Sequence, residues 1–137
     1  MNCIFCDIIN KKSVAEILFE NESIISFLDI RPVNYGHTLV IPKTHYENFL
    51  VLPGKELCEL IKVTKDLSGA IVNSLNPEGF NIVTNNGTAA GQSVFHFHFH
   101  IIPRFKYDDF RFRPKLKEYN NGSMREFADK IRAAVAI

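Results

Sequence analysis

Three of this chain's five histidines stand two residues apart in one apolar run, Val94-Phe95-His96-Phe97-His98-Phe99-His100-Ile101-Ile102-Pro103. Strict alternation over that length predicts a β-strand from Val94 to Ile102, because successive side chains on a strand point to opposite faces. His96, His98 and His100 then share one face, and Phe95, Phe97, Phe99 and Ile101 share the other. The aromatic face can bury itself in a core while the imidazoles line whatever lies opposite.

Two chemistries can use such a row. A strand rises roughly 3.3 Å per residue, which puts His96 and His100 on the order of 13 Å apart. A single zinc with bonds of about 2 Å cannot hold both. Two neighbours in the row can share a metal; all three cannot. The other use is catalysis, with one imidazole attacking while its neighbours supply hydrogen bonds and positive charge. A tag or a set of surface histidines is the disfavoured alternative, since tags sit at termini and do not alternate with large aromatics.

The residues around the row add to this. Thr84 to Ser93 is a stretch of small and amide residues, Thr-Asn-Asn-Gly-Thr-Ala-Ala-Gly-Gln-Ser. Its glycines permit backbone shapes in which N–H groups converge on phosphate oxygens. Asn85, Gln92 and Ser93 offer neutral donors that orient such a group without trapping it. Alone, the loop reads as a turn; its value is that it leads straight into the histidines. Pro103 and Arg104 close the strand.

Cysteines and the other histidines make a second constellation. Cys3 and Cys6 form Cys-x-x-Cys, and His45 follows the strand exit Ile41-Pro42-Lys43. With His96 they could offer zinc two thiolates and two imidazoles. An unmetallated reduced pair and a redox dithiol remain the alternatives. Cys58 falls in a predicted helix, where it reads as a small buried hydrophobe.

Along the chain, a short helix or turn is expected over Phe5 to Asn10. Strands follow over Ile17–Phe19 and Ile24–Asp29, joined by a turn at Asn21-Glu22, and a third over His37–Ile41. Leu57, Leu60, Ile61, Leu67, Ile71 and Leu75 recur at helical spacing, predicting one long helix from about Pro53 to Leu75. Pro53 suits its first turn and Asn76-Pro77 stops it. Phe80–Asn85 and Val94–Ile102 complete an antiparallel five-stranded sheet in the order βββαββ, an α+β domain. Ser123 and Glu126 read as a capping box opening a C-terminal helix through Phe127, Ile131 and Val135.

Length and composition bound the class. The 137 residues suit a single domain, with a core over about 1–105 and an arm and helix over 106–137. A hydrophobic content of 46% with 23% charged residues fits a soluble globular protein. The net charge of +1 gives no general pull toward nucleic acid or membrane. There is no signal-like N-terminus, and three cysteines suit a reducing interior, so a cytoplasmic location is expected. Between Arg104 and Lys117, six basic residues interleave with Phe105, Tyr107, Phe110 and Phe112. Such interleaving can stack on a nucleobase, but an arm burying its rings against its own sheet or a second subunit is favoured.

Gly91-Gln92-Ser93-Val94-Phe95-His96-Phe97-His98-Phe99-His100-Ile101-Ile102 resembles the motif of the histidine-triad (HIT) superfamily, His-φ-His-φ-His-φ-φ with φ apolar. Phe27 to Pro32, Gly36 to His45 and the opening Cys-Ile-Phe-Cys-Asp-Ile-Ile resemble that family's other segments, so the likeness covers roughly residues 1 to 105. The resemblance implies the HIT fold and a nucleotidyl-histidine mechanism. By it, His98 is the nucleophile, His100 and His37 polarise the α-phosphate, and His96 is the outer member, less directly involved. Asn85, Gln92 and Ser93 position the phosphate and leaving group. Asp29 holds the ribose, and Ile4, Phe5, Ile8 and Leu28 wall the base. The set Cys3, Cys6, His45 and His96 resembles the structural zinc site of some members. A homodimer is also implied, and no organic cofactor.

The expected function is hydrolysis at the α-phosphate of a nucleoside phosphoramidate or related purine nucleotide conjugate, with AMP as a product. The alternative is a dinucleoside polyphosphate hydrolase of the diadenosine tetraphosphate type. A nucleotidyltransferase fits less well, because His100 stands where the transferase relatives resemble glutamine. Two other classes stay open: a nucleotide sensor without turnover, and a zinc store using the histidine row. The chain has no Trp, unlike the tryptophan-bearing tail of the phosphoramidase branch.

Overall fold

The computed structural model describes residues 2–137 and has one antiparallel sheet of five strands. They are β1 (Ile17–Glu20), β2 (Ile24–Leu28), β3 (Thr38–Pro42), β4 (Gly79–Val83) and β5 (Phe99–Arg104), lying side by side as β1-β2-β3-β5-β4. The helices are α1 (Ile4–Ile9), α2 (Gly54–Leu75) and α3 (Ser123–Ala134). The strand and helix order matches the expected βββαββ, with α1 ahead of it and α3 behind.

Alternation along the strands divides the core into two layers. Ile24, Val40, Phe99 and Ile101 pack with Leu60 and Ile71 of α2. Ile25, Phe27, Leu39 and Ile41 point the other way and pack with Cys3 and Phe5 at α1. His100 is the cross-strand partner of Leu39 and of Val83, so it lies on the α1 side. On this second face α1 covers one end of the sheet, and Phe110 and Phe112 approach the other end, above Asn81, Ile102 and Arg104. His37, His98 and His100 line the gap between.

α2 carries the expected long helix, but its buried stripe is Leu60, Thr64, Ser68 and Ile71. Ile61, the neighbour of sheet-facing Leu60, and Leu75, the last residue of the helix, are half-exposed. The small hydroxyl residues are buried at no cost in unmade hydrogen bonds: Thr64 Oγ1 donates to Leu60 O and Ser68 Oγ to Thr64 O. Pro53 stands at the N-cap, and Asn76 ends the helix in the left-handed region at φ 49°. Gly36, at φ +93°, precedes His37; any Cβ there would strike Leu75, so this tight passage requires glycine.

Three local expectations are corrected. The histidine strand begins only at Phe99 and extends through Pro103 and Arg104, which pair with Phe80 and Gly79. His96 and His98 lie in the segment leading into it, where Phe97 N–H donates to Tyr46 O at 2.6 Å rather than to a neighbouring strand. Cys58 is exposed, since its helix position faces away from the sheet. At α3, Gly122 takes the N-cap position; Ser123 Oγ donates to Asn120 O, and the Glu126 carboxylate pairs with Lys130. No capping box forms, because Ser123 is already the first helical residue. In the arm, Tyr107 and Phe112 remain largely exposed, and Phe110 packs beneath the Arg104 guanidinium 4.7 Å from its ring centre.

Candidate active site

His98 is oriented from behind. Its Nδ1–H donates to the carbonyl of His96 at 2.7 Å, which leaves the lone pair on Nε2. Phe5 meets the ring edge-on at 5.1 Å between centres. Burial disfavours the imidazolium and lowers the His98 pKa below the ordinary histidine value. The ring is therefore a neutral nucleophile at neutral pH, with its reactive nitrogen aimed away from its own backbone.

The His37–His100 pair is fixed by a chain of hydrogen bonds. Val33 N–H donates to His37 Nδ1 at 3.1 Å, so that nitrogen carries no proton. His37 Nε2–H then donates to His100 Nδ1 at 2.8 Å, with Asp29 Oδ2 3.6 Å from the same nitrogen. An accepting Nδ1 leaves the proton of His100 on Nε2, where it can donate to a phosphoryl oxygen. Burial is the main force lowering the pKa of both rings, with neighbouring His98 adding to it, and His100 falls to about 4. His98 thus presents an acceptor and His100 a donor, their ring centres 4.7 Å apart.

Two clefts meet at His100. One, of about 520 Å³, is walled by Ile4, Phe5, Ile8 and Leu28, with Asp29, Ser93, His98 and His100 along it. The second, of about 630 Å³, has His37 and His100 on one side and Asn85 on its wall. Gln92 lines neither of these clefts. Its amide is buried in the loop, where Oε1 accepts from Gly87 N–H and Nε2 donates to the carbonyls of Glu47 and Val94. Gln92 therefore sets the shape of the 84–93 loop rather than presenting its own amide to a ligand.

Sequence reasoning missed Val14, Ala15 and Arg31, which also line the first cleft. It also missed Asp108. Its buried carboxylate accepts from Arg104 Nε at 2.8 Å, Arg104 Nη2 at 2.9 Å, and Asn34 Nδ2 and Phe105 N–H at 3.0 Å. The Arg104 guanidinium holds this carboxyl far below the usual carboxylate range. Asn34 also accepts from His37 N–H, so the clamp reaches the histidine chain. An aspartate four residues after an arginine inside a basic run was the available signal.

Cys3, Cys6, His45 and His96 converge as the sequence suggested, with their ligand atoms all within 4.8 Å of one another. Sulfur-to-nitrogen distances are 3.6 Å from Cys3 to His96, 3.6 Å from Cys6 to His96 and 3.4 Å from Cys6 to His45. A tetrahedral ion with zinc's bond lengths to sulfur and nitrogen spaces such ligands by about 3.6 Å. His96 Nε2–H donates to Pro42 O at 2.7 Å, so Nδ1 presents its lone pair to the two sulfurs. Burial, with Cys3 alongside, pushes the Cys6 thiol up to about 11; burial lowers His96 to about 4. A divalent cation would turn this strain into bonding, and the residues fit one.

A small α+β domain with a buried histidine triad beside an apolar, carboxylate-bearing cleft is the HIT architecture. Residues 10–107 match the HIT domain family, and the chain belongs to it. An uncharacterised HIT-like protein of Methanocaldococcus jannaschii is 52% identical over 106 residues, covering 77% of this chain and 81% of that one. An adenosine 5'-monophosphoramidase of Schizosaccharomyces pombe is 39% identical over 104 residues, covering 76% and 75%. Among solved structures, a HIT family member from Bacillus subtilis superposes with TM-score 0.92 at 38% identity, over 100% of this chain and 99% of that one. A zinc-bound histidine-triad protein of Mycobacterium smegmatis superposes with TM-score 0.76 at 35% identity, over 98% and 99%. Among the described residues, no helix is long and apolar enough to cross a membrane.

Proposed function

We propose that this chain hydrolyses a nucleoside phosphoramidate, or a related purine nucleotide conjugate, at the α-phosphate through a nucleotidyl-histidine intermediate. The observation that carries the proposal is the complementary pair of tautomers: a lone pair on His98 Nε2 and a proton on His100 Nε2, each fixed by its own hydrogen bond. A site that only bound nucleotide would not require an uncommitted nucleophilic nitrogen beside the phosphate.

In this reading the base lies against Ile4, Phe5, Ile8 and Leu28, and the Asp29 carboxylate accepts from the ribose hydroxyls. Asn85 and Ser93 contact the phosphate from the loop that Gln92 braces. His98 Nε2 attacks phosphorus, the His100 Nε2–H that His37 orients stabilises a phosphoryl oxygen, and water then releases the nucleotide from His98. The purine preference draws support from the phosphoramidase relative, whose name specifies adenosine.

Cys3, Cys6, His45 and His96 would hold one structural zinc, a reading supported by their spacing and by the zinc-bound neighbour. Such an ion would cross-link α1 and the histidine segment and supply no chemistry. The working unit is one domain over 1–137, located in the cytoplasm and acting as a homodimer. Support for the dimer comes from edge strand β4, whose Phe80 and Ile82 lie exposed beside Ile61 and Val72 of α2 in an apolar cleft of about 320 Å³.

Nucleotide monophosphate release from adenosine phosphoramidate and from diadenosine tetraphosphate, in wild type and His98→Ala, tests this. Faster release from the phosphoramidate, lost in the variant, is the expected result. Faster release from the tetraphosphate selects the polyphosphate hydrolase. Saturable binding with no release from either makes the protein a sensor.

A further inference from the structure

Two of the four side chains that would hold the cation are thiols, and they stand side by side. We infer that Cys3 and Cys6 are a site of reversible oxidation: hydrogen peroxide joins them in a disulfide, the cation is released, and the nucleophile His98 loses its fixed setting. The effect on rate rests on the hydrolase reading; the oxidation and the loosening of His98 do not.

The pair is placed to close. Cys3 stands at the N-cap of α1 and Cys6 one turn further on, with Asp7 N–H donating to the Cys3 carbonyl at 3.0 Å. Residues three apart on a helical turn have Cα atoms about 5 Å apart, inside the range of about 4.4–6.8 Å that a disulfide accepts. Both cysteines are free thiols, and the ligand atoms of the whole cluster lie within 4.8 Å of one another. Closing the pair therefore takes side-chain rotation, not unwinding of the chain.

An oxidant can reach it. A cleft of about 810 Å³ has Cys3 and His45 in its lining, with Asn2, Glu47 and Phe95 around them. A molecule near the size of water needs roughly 30 Å³, so peroxide enters freely. Cys58 makes the contrast: it is exposed on α2, but among the described residues it belongs to no such cluster. It lacks the second sulfur that turns a first oxidation into a disulfide.

The sulfurs are thiolates when they ligate a cation, and the thiolate is the form that reacts. Cys3 Sγ attacks one peroxide oxygen; the O–O bond breaks, leaving a sulfenic acid on Cys3 and a hydroxide. Cys6 Sγ then attacks Cys3 Sγ; the S–O bond breaks and a second hydroxide leaves. The sulfurs have lost two electrons and peroxide has gained them. Two protons from solvent turn the hydroxides into water. A small dithiol reverses the bond by exchange. In a reducing interior such a disulfide is transient, which suits a sensor.

The consequence follows from what His96 touches. Its Nδ1 lies 3.6 Å from each sulfur, and a neutral disulfide no longer shares a cation with it. The imidazole keeps only its bond to Pro42 O at 2.7 Å. The carbonyl of the same residue is the acceptor of His98 Nδ1–H, also at 2.7 Å. Phe5, between the two cysteines, packs edge-on against the His98 ring and moves with them.

The test treats the full-length protein, supplied with one equivalent of zinc, with hydrogen peroxide. Tryptic mapping reads the chemistry, because the peptide ending at Lys11 carries both cysteines and Cys58 falls in another. That peptide is expected to lose two hydrogens, and a colorimetric chelator to collect one zinc per disulfide. The His98 Nδ1–H resonance, identified by its absence in His98→Ala, is expected to vanish into exchange with water. AMP release from adenosine phosphoramidate is expected to fall about ten- to a hundredfold. Dithiothreitol with added zinc is expected to restore all four. Reduced thiols in that peptide after Cys58 has been oxidised, sulfinic acid in place of the disulfide, or retained zinc would overturn the inference. So would a disulfide that leaves the His98 resonance and the rate unchanged. Absence of AMP release before peroxide is added refutes the hydrolase reading alone; the peptide, the zinc and the resonance then decide this inference.

Discussion

His37 makes two hydrogen bonds with different consequences, and two substitutions separate them. Nδ1 accepts from Val33 N–H at 3.1 Å, and Nε2–H donates to His100 Nδ1 at 2.8 Å. Asparagine places an amide oxygen near the Nδ1 position and keeps the first bond; glutamine places an amide nitrogen near Nε2 and keeps the second. In His37→Gln, a partly buried N–H loses its acceptor, which costs about 1 kcal/mol, or roughly 3–5 °C in Tm for a chain of this size. The proton of His100 stays on Nε2, so kcat for AMP release stays within about tenfold of wild type. In His37→Asn the N–H is satisfied and Tm hardly moves, but nothing holds the His100 tautomer. Loss of one oriented donor to a phosphoryl oxygen costs about 10²- to 10³-fold in kcat. Thermal melts and steady-state AMP release on the two variants read these quantities independently. Equal activity of the two variants, or a more active asparagine form, would refute the proposed chain of bonds.

Metal content and pH give two further checks. Purified protein is expected to carry one zinc per chain by elemental analysis, lost in Cys3→Ser; two or more zincs that survive this change would favour a metal store. Because the pKa values of His37 and His100 lie below the ordinary 6.5, with His100 at about 4, the neutral, working forms persist into mild acid. The rate is expected to hold from pH 8 to about 6.5 and to fall only below that, as protonation of His100 Nδ1 removes the acceptor of the bond between the rings and protonation of His37 Nδ1 removes the acceptor of Val33 N–H. The same sign governs stability: a histidine whose folded pKa is depressed contributes fully above its unfolded value and loses that contribution as pH falls from 6.5 toward 4. An acid limb centred at or above 6.5 would contradict the burial of these rings.

How much of this was legible in the sequence depended on the range of the interaction. The five strands, the long helix and the meeting of Cys3, Cys6, His45 and His96 follow from periodicity, ligand type and family resemblance, and the structure contains them. The extent of the histidine strand was overestimated, because alternation reports which way side chains point and not whether a neighbouring strand supplies hydrogen bonds. His96 and Phe97 alternate as on a strand, yet their partners are Pro42 and Tyr46, where the chain leaves β3. Cys58 and Ile61 were misplaced for a related reason: helical spacing finds an apolar stripe, but buried Thr64 and Ser68 shift the true contact line. Asp108 was illegible because its partners, Asn34 and Arg104, meet only in the folded chain.

The two constellations that the sequence presents separately are one mechanical unit. The His96 side chain points into the Cys3–Cys6–His45 cluster, while its backbone carbonyl accepts the Nδ1–H of His98. Phe5, between the two cysteines, packs against both rings, 5.9 Å from His96 and 5.1 Å from His98. Whatever holds the cluster closed therefore holds the acceptor that sets the nucleophile's tautomer and the ring that sets its tilt. In the proposed reaction the first histidine of the triad would then serve without facing substrate: its carbonyl does the orienting, and its imidazole anchors that carbonyl. Opening the cluster should then misalign His98 even where α1 remains folded, because the rigidity comes from side chains about ninety residues apart in sequence, not from the six-residue helix itself.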